Sequence, residues 1–407
     1  MKEASLSAAR PYKILMYSHD TFGLGHIRRC LAIARSLRKC PANVLIVTGS
    51  ILVGRFKIPN RIDFVRIPGM IKVTNEQYLP LSMRLGSAEV LEIRKKIILA
   101  SAMALQPDFF IVDKAPLGLK REVVDTLHWL KSDLPTCTSI LGLRDIMDGA
   151  AVTIKDWEEK GIYDAMDQLY HEIWVYGRKD FYDPISQYRI PPHVASKMHF
   201  TGYIPRHVPS QEEIQATRRG LGINDGEKLI LVTTGGGGDG LPVVNTFLSA
   251  FHPREGGVPS RTRVVIVTGP FITPEDYEDV VRKCQSVGFI PLKFHRFMEA
   301  LIGAAHVVVS MGGYNTVCEI ASQKKHFLIV PRTVPREEQL IRAQVLCTKG
   351  YCDYLDPREL TLKKLREKVL RLLDNGPVCR HSEAAFPFTA LDVIRERIHQ
   401  FDKGTRG

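Results

Sequence analysis

The 407-residue chain contains no apolar run approaching the roughly 20 residues that span a bilayer. Its first stretch, MKEASLSAARPYKILMY, lacks the long apolar segment of a secretory signal, so none is expected. Eight cysteines are scattered without a CxxC pair or a Cys/His ligand spacing, which argues against a disulfide framework or a zinc site. A GxxxxGK[ST] pattern is missing, which excludes a P-loop NTPase, and no DxD-like motif stands in a suitable loop, so no metal is expected. Lys and Arg number 56 against 44 Asp and Glu, a net charge of +12, yet no single basic tract or nucleic-acid module collects the excess. These absences leave a cytoplasmic globular chain with free thiols and anionic partners, and no nucleic acid among them.

What is present is alternation. KILMYSH, NVLIVTG, FVRIPG, DFFIVDKAP, TSILGLRDI and EIWVYGR read as strands, with helical spacing in HIRRCLAIARSLRK and across Ser87–Leu105. Near-continuous apolar strands separated by helices imply parallel sheets covered on both faces. The pattern restarts after HFTGYIPRHVPS with EKLILVTTGGGGDG, RVVIVTG, HVVVSMGG and HFLIVPR. Two doubly wound, Rossmann-like α/β domains are therefore expected, residues 1–203 and 204–407, facing each other across a cleft. The last helical run, Thr389–Gln400, is free to pack on either domain. Basic and apolar residues within Leu81–Leu105 fit a peripheral contact with the inner face of a membrane, and fit a core-facing helix as well.

Each domain opens with a strand followed by glycines. In SHDTFGLGHIRR, Gly23 and Gly25 match two glycines of a dinucleotide fingerprint, but Arg28 holds the third place. The second strand ends in Thr48-Gly49-Ser50 without the acid that binds a ribose, so no NAD or FAD cofactor is expected. In TTGGGGDG, the four glycines Gly235, Gly236, Gly237 and Gly238 let backbone N–H groups approach a phosphate. VVVSMGGYNTVCEIA has the same layout, with Gly312-Gly313 as the turn, Asn315 or Thr316 as a helix cap and Glu319 in the first turns of the helix. A carboxylate there suits a ribose diol as well as it suits the helix dipole. Glu338 and Gln339 stand at the start of the next helix, where an acid and an amide can read sugar hydroxyls.

Together these loops resemble the donor-binding domain of GT-B glycosyltransferases, family 28 in particular, most closely over Thr201 to about Leu355. The resemblance implies a nucleotide-diphosphate sugar, a UDP-sugar, as donor. It implies diphosphate contact at TTGGGGDG, ribose contact at Glu319, base contact at His295 behind Phe294, and sugar contact at Glu338-Gln339. In the first domain FGLGHIRRCLAIARSL fits the family's acceptor-side turn, with His26 as candidate general base and Asp20 and His19 nearby. An inverting, metal-independent transfer to an unidentified hydroxyl on a lipid-linked, glycan or small-molecule acceptor is the expectation. A nucleotide-sugar hydrolase or epimerase on the same fold, or a non-catalytic nucleotide-sugar binding protein, are the alternatives.

Overall fold

A computed structural model describes residues 10–19, 25–72, 78–236, 238–375 and 385–405. Asp20, Gly23 and Gly237 lie outside the described residues.

The first sheet contains β1 (Tyr12–Ser18), β2 (Ala42–Thr48), β3 (Ile62–Arg66), β6 (Phe109–Asp113), β7 (Thr138–Arg144), β8 (Glu172–Tyr176) and β9 (Met198–Phe200). A small antiparallel hairpin, β4 (Met70–Lys72) with β5 (Tyr78–Pro80), stands apart from it. The second sheet contains β10 (Lys228–Thr233), β11 (Thr262–Val267), β12 (Ile290–Leu292), β13 (Val307–Ser310), β14 (His326–Ile329) and β15 (Asp353–Tyr354). The orders are β3-β2-β1-β6-β7-β8-β9 and β12-β11-β10-β13-β14-β15, and every pairing is parallel.

These strands are apolar almost throughout because helices cover both faces. Every residue of β6 and β8 is buried, and each sheet carries one apolar cluster per face. The strand order reverses between β1 and β6 in the first sheet and between β10 and β13 in the second. At such a reversal the following helices leave to opposite faces and open a crevice at the strands' carboxyl ends.

Chain segments cross between the two halves. Tyr203 N–H donates to Pro387 O at 2.9 Å, and the Thr389 hydroxyl donates to Thr201 O at 2.8 Å. The helix Ala390–Thr405 then lies on the first sheet's side, with Ile394 and Ile398 buried among Tyr12, Ile27 and Leu31. Deeper between the halves, Arg342 donates to both Asp145 oxygens at 2.7 and 2.8 Å and to Gly312 O at 3.0 Å. Arg342 and Asp145 are both buried.

Candidate active site

The loops at the two reversals face one cleft. Its walls take Gly25, His26, Arg28, Arg29 and Arg144 from the first half. The second half contributes Thr234–Gly236, Gly238, Gly313–Thr316, Glu319, Arg332, Glu338 and Gln339.

The glycine loop after β10 has the shape its composition allows. Gly235 lies at φ +74°, outside the range most side chains accept. The Thr234 hydroxyl donates to Thr268 O at 2.7 Å, tying the loop's start to the end of β11. Gly269, at φ +92°, passes so close beneath that a Cβ there would stand 2.5 Å from Gly235 O. On the outer side, Arg332 pairs with Asp239 and with Glu338, the latter at 3.1 Å.

The second glycine turn follows β13. Gly312 lies at φ +80°, and a Cβ there would meet Ile329 Cγ2 at 2.7 Å. Helix Tyr314–Ser322 starts immediately afterwards with Gly313 as its N-cap. The expected cap at Asn315 or Thr316 is therefore corrected: both lie inside the first turn. Asn315 accepts a bond from Arg206, and Thr316 Oγ1 faces the Gly235 loop, 3.6 Å from where a Cβ at Gly235 would stand. Among the described residues no side chain caps this helix, and its first turn borders the cleft.

Glu319 sits on this helix with only 3 % of its surface exposed. Arg28, from helix Gly25–Leu37 of the first half, brings Nη1 to 2.6 Å from Glu319 Oε1. The contact is ionic but off the hydrogen-bonding direction, and among the described residues Oε1 has no aligned donor. Burial raises the carboxyl above its ordinary value, and Arg28 and Arg206 pull it back. Arg28 also donates to Glu299 at 2.5 Å, so it bridges two acids.

Glu338 and Gln339 open helix Glu338–Thr348 and are both buried. Gln339 Oε1 accepts from Arg332 N–H at 3.2 Å. Glu338 Oε1 accepts from Arg332, while Glu338 Oε2 is buried without a partner among the described residues. His295 is not brought to the cleft. Its Nδ1 accepts from Phe297 N–H at 3.3 Å, and Phe294, one residue earlier, lines the wall instead.

On the opposite wall His26 Nδ1 stands 2.6 Å from Asp113 Oδ2. Asp113, the last residue of β6, also takes Arg29 Nε and Nη2, each at 2.7 Å. Asp113 has no free hydrogen to give beside Arg29, so Nδ1 carries the proton and Nε2 is left as the acceptor. Burial pushes His26 down to about 3 despite Asp113, with Arg29 and Lys114 adding to the fall. His19 is buried beneath it, with Nδ1 3.2 Å from Tyr17 Oη and its ring centre 5.6 Å from that of His26. Asp113 had gone unassigned on sequence alone. Its place at a strand's carboxyl end, next to the reversal, is the signal that marks it.

The comparisons with known proteins fall on this geometry. The Glycosyltransferase family 28 C-terminal domain matches residues 229–395. A Streptococcus pneumoniae (serotype 19F, strain G54) UDP-N-acetylglucosamine--N-acetylmuramyl-(pentapeptide) pyrophosphoryl-undecaprenol N-acetylglucosamine transferase is 31 % identical over 150 residues. That stretch is 36 % of this chain, and the chain spans 40 % of the length of that relative. Among solved structures, Acinetobacter baumannii MurG superposes with a TM-score of 0.58 at 14 % identity, covering 96 % of this chain and 100 % of its own. The UDP-GlcNAc 2-epimerase of Neisseria meningitidis, bound to UDP-GlcNAc, gives a TM-score of 0.61 at 14 % identity, with 95 % and 100 % covered. The chain thus has the GT-B fold, and over residues 229–395 it is similar to the C-terminal domain of the family 28 glycosyltransferases.

Proposed function

We propose that the chain is an inverting, metal-independent glycosyltransferase that moves a sugar from a UDP-sugar to an acceptor hydroxyl. Glu319 carries this reading. A buried carboxylate with an oxygen short of an aligned donor, at the floor of a glycine-lined cleft, matches the two hydroxyl donors of a ribose diol. Arg28 gives up Glu319 to the ribose and keeps Glu299. The diphosphate lies between the N–H groups of Gly235, Gly236 and Gly238 and the start of helix Tyr314–Ser322. The unpartnered Glu338 Oε2 and the Gln339 amide read the sugar.

In the transfer the acceptor hydroxyl gives its proton to His26 Nε2, and its oxygen bonds the anomeric carbon from the first-half side. The bond from that carbon to the diphosphate oxygen breaks with its electron pair. Asp113 holds the imidazole tautomer and steadies the imidazolium. An anionic diphosphate nearby favours that imidazolium, countering the burial that holds His26 low. Backbone donors take the leaving charge without a metal.

The exposed Leu79, Leu81, Met83 and Leu85, with Arg84 among them, support contact with a lipid surface. Among the described residues no helix is long and apolar enough to cross a membrane.

A thermal-shift screen of UDP-, GDP-, dTDP- and CDP-sugars tests the donor. Selective stabilisation by UDP species is expected, and no shift with any nucleotide contradicts the reading. Rapid turnover of a UDP-sugar without acceptor would make the protein a hydrolase or epimerase instead.

A further inference from the structure

Most cations in and around the cleft already have a carboxylate. Arg28 pairs with Glu319 and Glu299, Arg29 with Asp113, Arg332 with Asp239 and Glu338, and Arg342 with Asp145. Arg336 reaches Asp148 at 3.8 Å. Arg144 and Lys114 are different: among the described residues, neither side chain makes a hydrogen bond or ion pair, and Arg144 Nε is buried without a partner. Arg144 lines the cleft.

The sheet puts these two cations together. β6 and β7 are neighbours with Asp113 opposite Gly142, so the residue after β6 and the last residue of β7 emerge side by side. Lys114 N–H donates to Gly142 O at 2.7 Å. Lys114 also sits at φ +69°, a left-handed conformation that is strained for a non-glycine residue and tends to be kept at functional sites. Glu338 acts on both cations, and it already accepts from Arg332. Burial, with Arg342, Arg29 and Arg336 nearby, lowers Arg144 to about 10, and burial, with Arg144, Arg336 and Arg29 nearby, holds Lys114 well below its ordinary range.

Two half-buried cations that no described side chain hydrogen-bonds or pairs, one of them in the cleft wall, suit an anion brought by the ligand. The guanidinium offers a planar fork for two oxygens, and the ammonium adds a point charge. Both belong to the first half, and the Lys114 charge acts on His26, on the wall opposite the glycine loops. We propose that Arg144 and Lys114 form a second anion subsite, separate from the diphosphate loops, which holds a phosphate or carboxylate borne by the acceptor close to its attacking hydroxyl. The assignment of that anion to the acceptor rests on the glycosyltransferase reading; the subsite itself does not.

Calorimetric titration of inorganic phosphate, and separately of acetate, into UDP-saturated protein tests it. Wild-type protein should bind at least one of the two. Arg144→Gln and Lys114→Gln should each weaken that binding at least tenfold while leaving the Kd for UDP within twofold. Tighter phosphate than acetate assigns a phosphorylated acceptor, and the reverse a carboxylated one. Anion binding that is absent, or equal in wild type and both variants, overturns the subsite. So does a tenfold loss of UDP affinity in Arg144→Gln, which would assign the residue to the donor diphosphate. Should Arg144→Gln not fold, Lys114→Gln and Arg144→Lys carry the same comparison. If UDP fails to bind wild-type protein, the donor reading falls, and the phosphate titration of UDP-free protein still separates wild type from variants.

Discussion

Replacing Arg342 by Ala should cost far more than an ordinary ion-pair deletion. The guanidinium makes three hydrogen bonds, two to Asp145 and one to Gly312 O, at 2.7 to 3.0 Å, and it is 0 % exposed. Its removal leaves the Asp145 carboxylate buried with only the Ile146 N–H at 2.8 Å and a long contact to Tyr203 Oη at 3.4 Å. Breaking one side of a buried pair costs about 3–5 kcal/mol, chiefly because the other charge is stranded. Removing both charges with Asp145→Asn/Arg342→Met strands no charge, leaving only Gly312 O without its donor, and should recover most of that loss. The pair joins the two halves, so its loss should register in the urea transition and in faster proteolysis of residues 201–210, which run between them. Freed from Arg342, Gly312 O no longer fixes the turn beneath the diphosphate, and UDP affinity should fall with stability. A cost below about 1 kcal/mol for Arg342→Ala, or a double variant no better than the single, would refute this account of the interface.

Gly269→Ala should reduce UDP affinity at least tenfold without removing any side chain from the cleft, because its Cβ would stand 2.5–2.6 Å from the Gly235 and Gly236 backbone; unchanged calorimetric affinity would contradict it. His26→Ala should lower turnover by about 10²–10⁴ while the Kd for UDP holds, as expected of a general base, and Asp113→Asn should lower turnover by disturbing the Nδ1 proton. The folded chain holds His26 at about 3 where the unfolded chain has about 6.5. Between those values the unfolded state binds the extra proton, so stability is full above pH 6.5 and falls as pH drops towards 3. Urea midpoints from pH 7 to 4.5 should therefore decline less in His26→Asn than in wild type, while His19, shifted the same way, preserves part of the slope.

The sheets were legible because buried parallel strands are continuous apolar runs. Tyr12–Ser18 and Val307–Ser310 fall within a residue of the runs read from sequence, and Phe109–Asp113 starts one residue inside its run and ends three short of it. Strands such as Ile290–Leu292 and Asp353–Tyr354 escaped, since two or three residues carry no period and exist only through a longer neighbour. Glycine loops were legible as well, because a run of residues without Cβ has few other uses. The helix cap was misplaced because Gly312 turns the chain early and Asn315 spends its oxygen on Arg206. What sequence could not convey is pairing across the cleft. Arg342 and Asp145 are 197 positions apart, and no local spacing records that they meet. For the same reason Arg28 was read only as a failed fingerprint position, whereas in the fold it reaches Glu319.

Glu319 is the point on which the donor site turns. A ribose diol gives its carboxylate two hydrogen bonds of about 1.5–3 kcal/mol each, offset by the Arg28 contact that must be released. A net loss of at least one such bond is about tenfold in affinity or more. Calorimetric titration of UDP into wild type and Glu319→Ala measures it directly. A Kd raised at least tenfold, with the protein still folded, is the predicted result; an unchanged Kd would contradict the assignment of this cleft to a nucleotide-sugar donor.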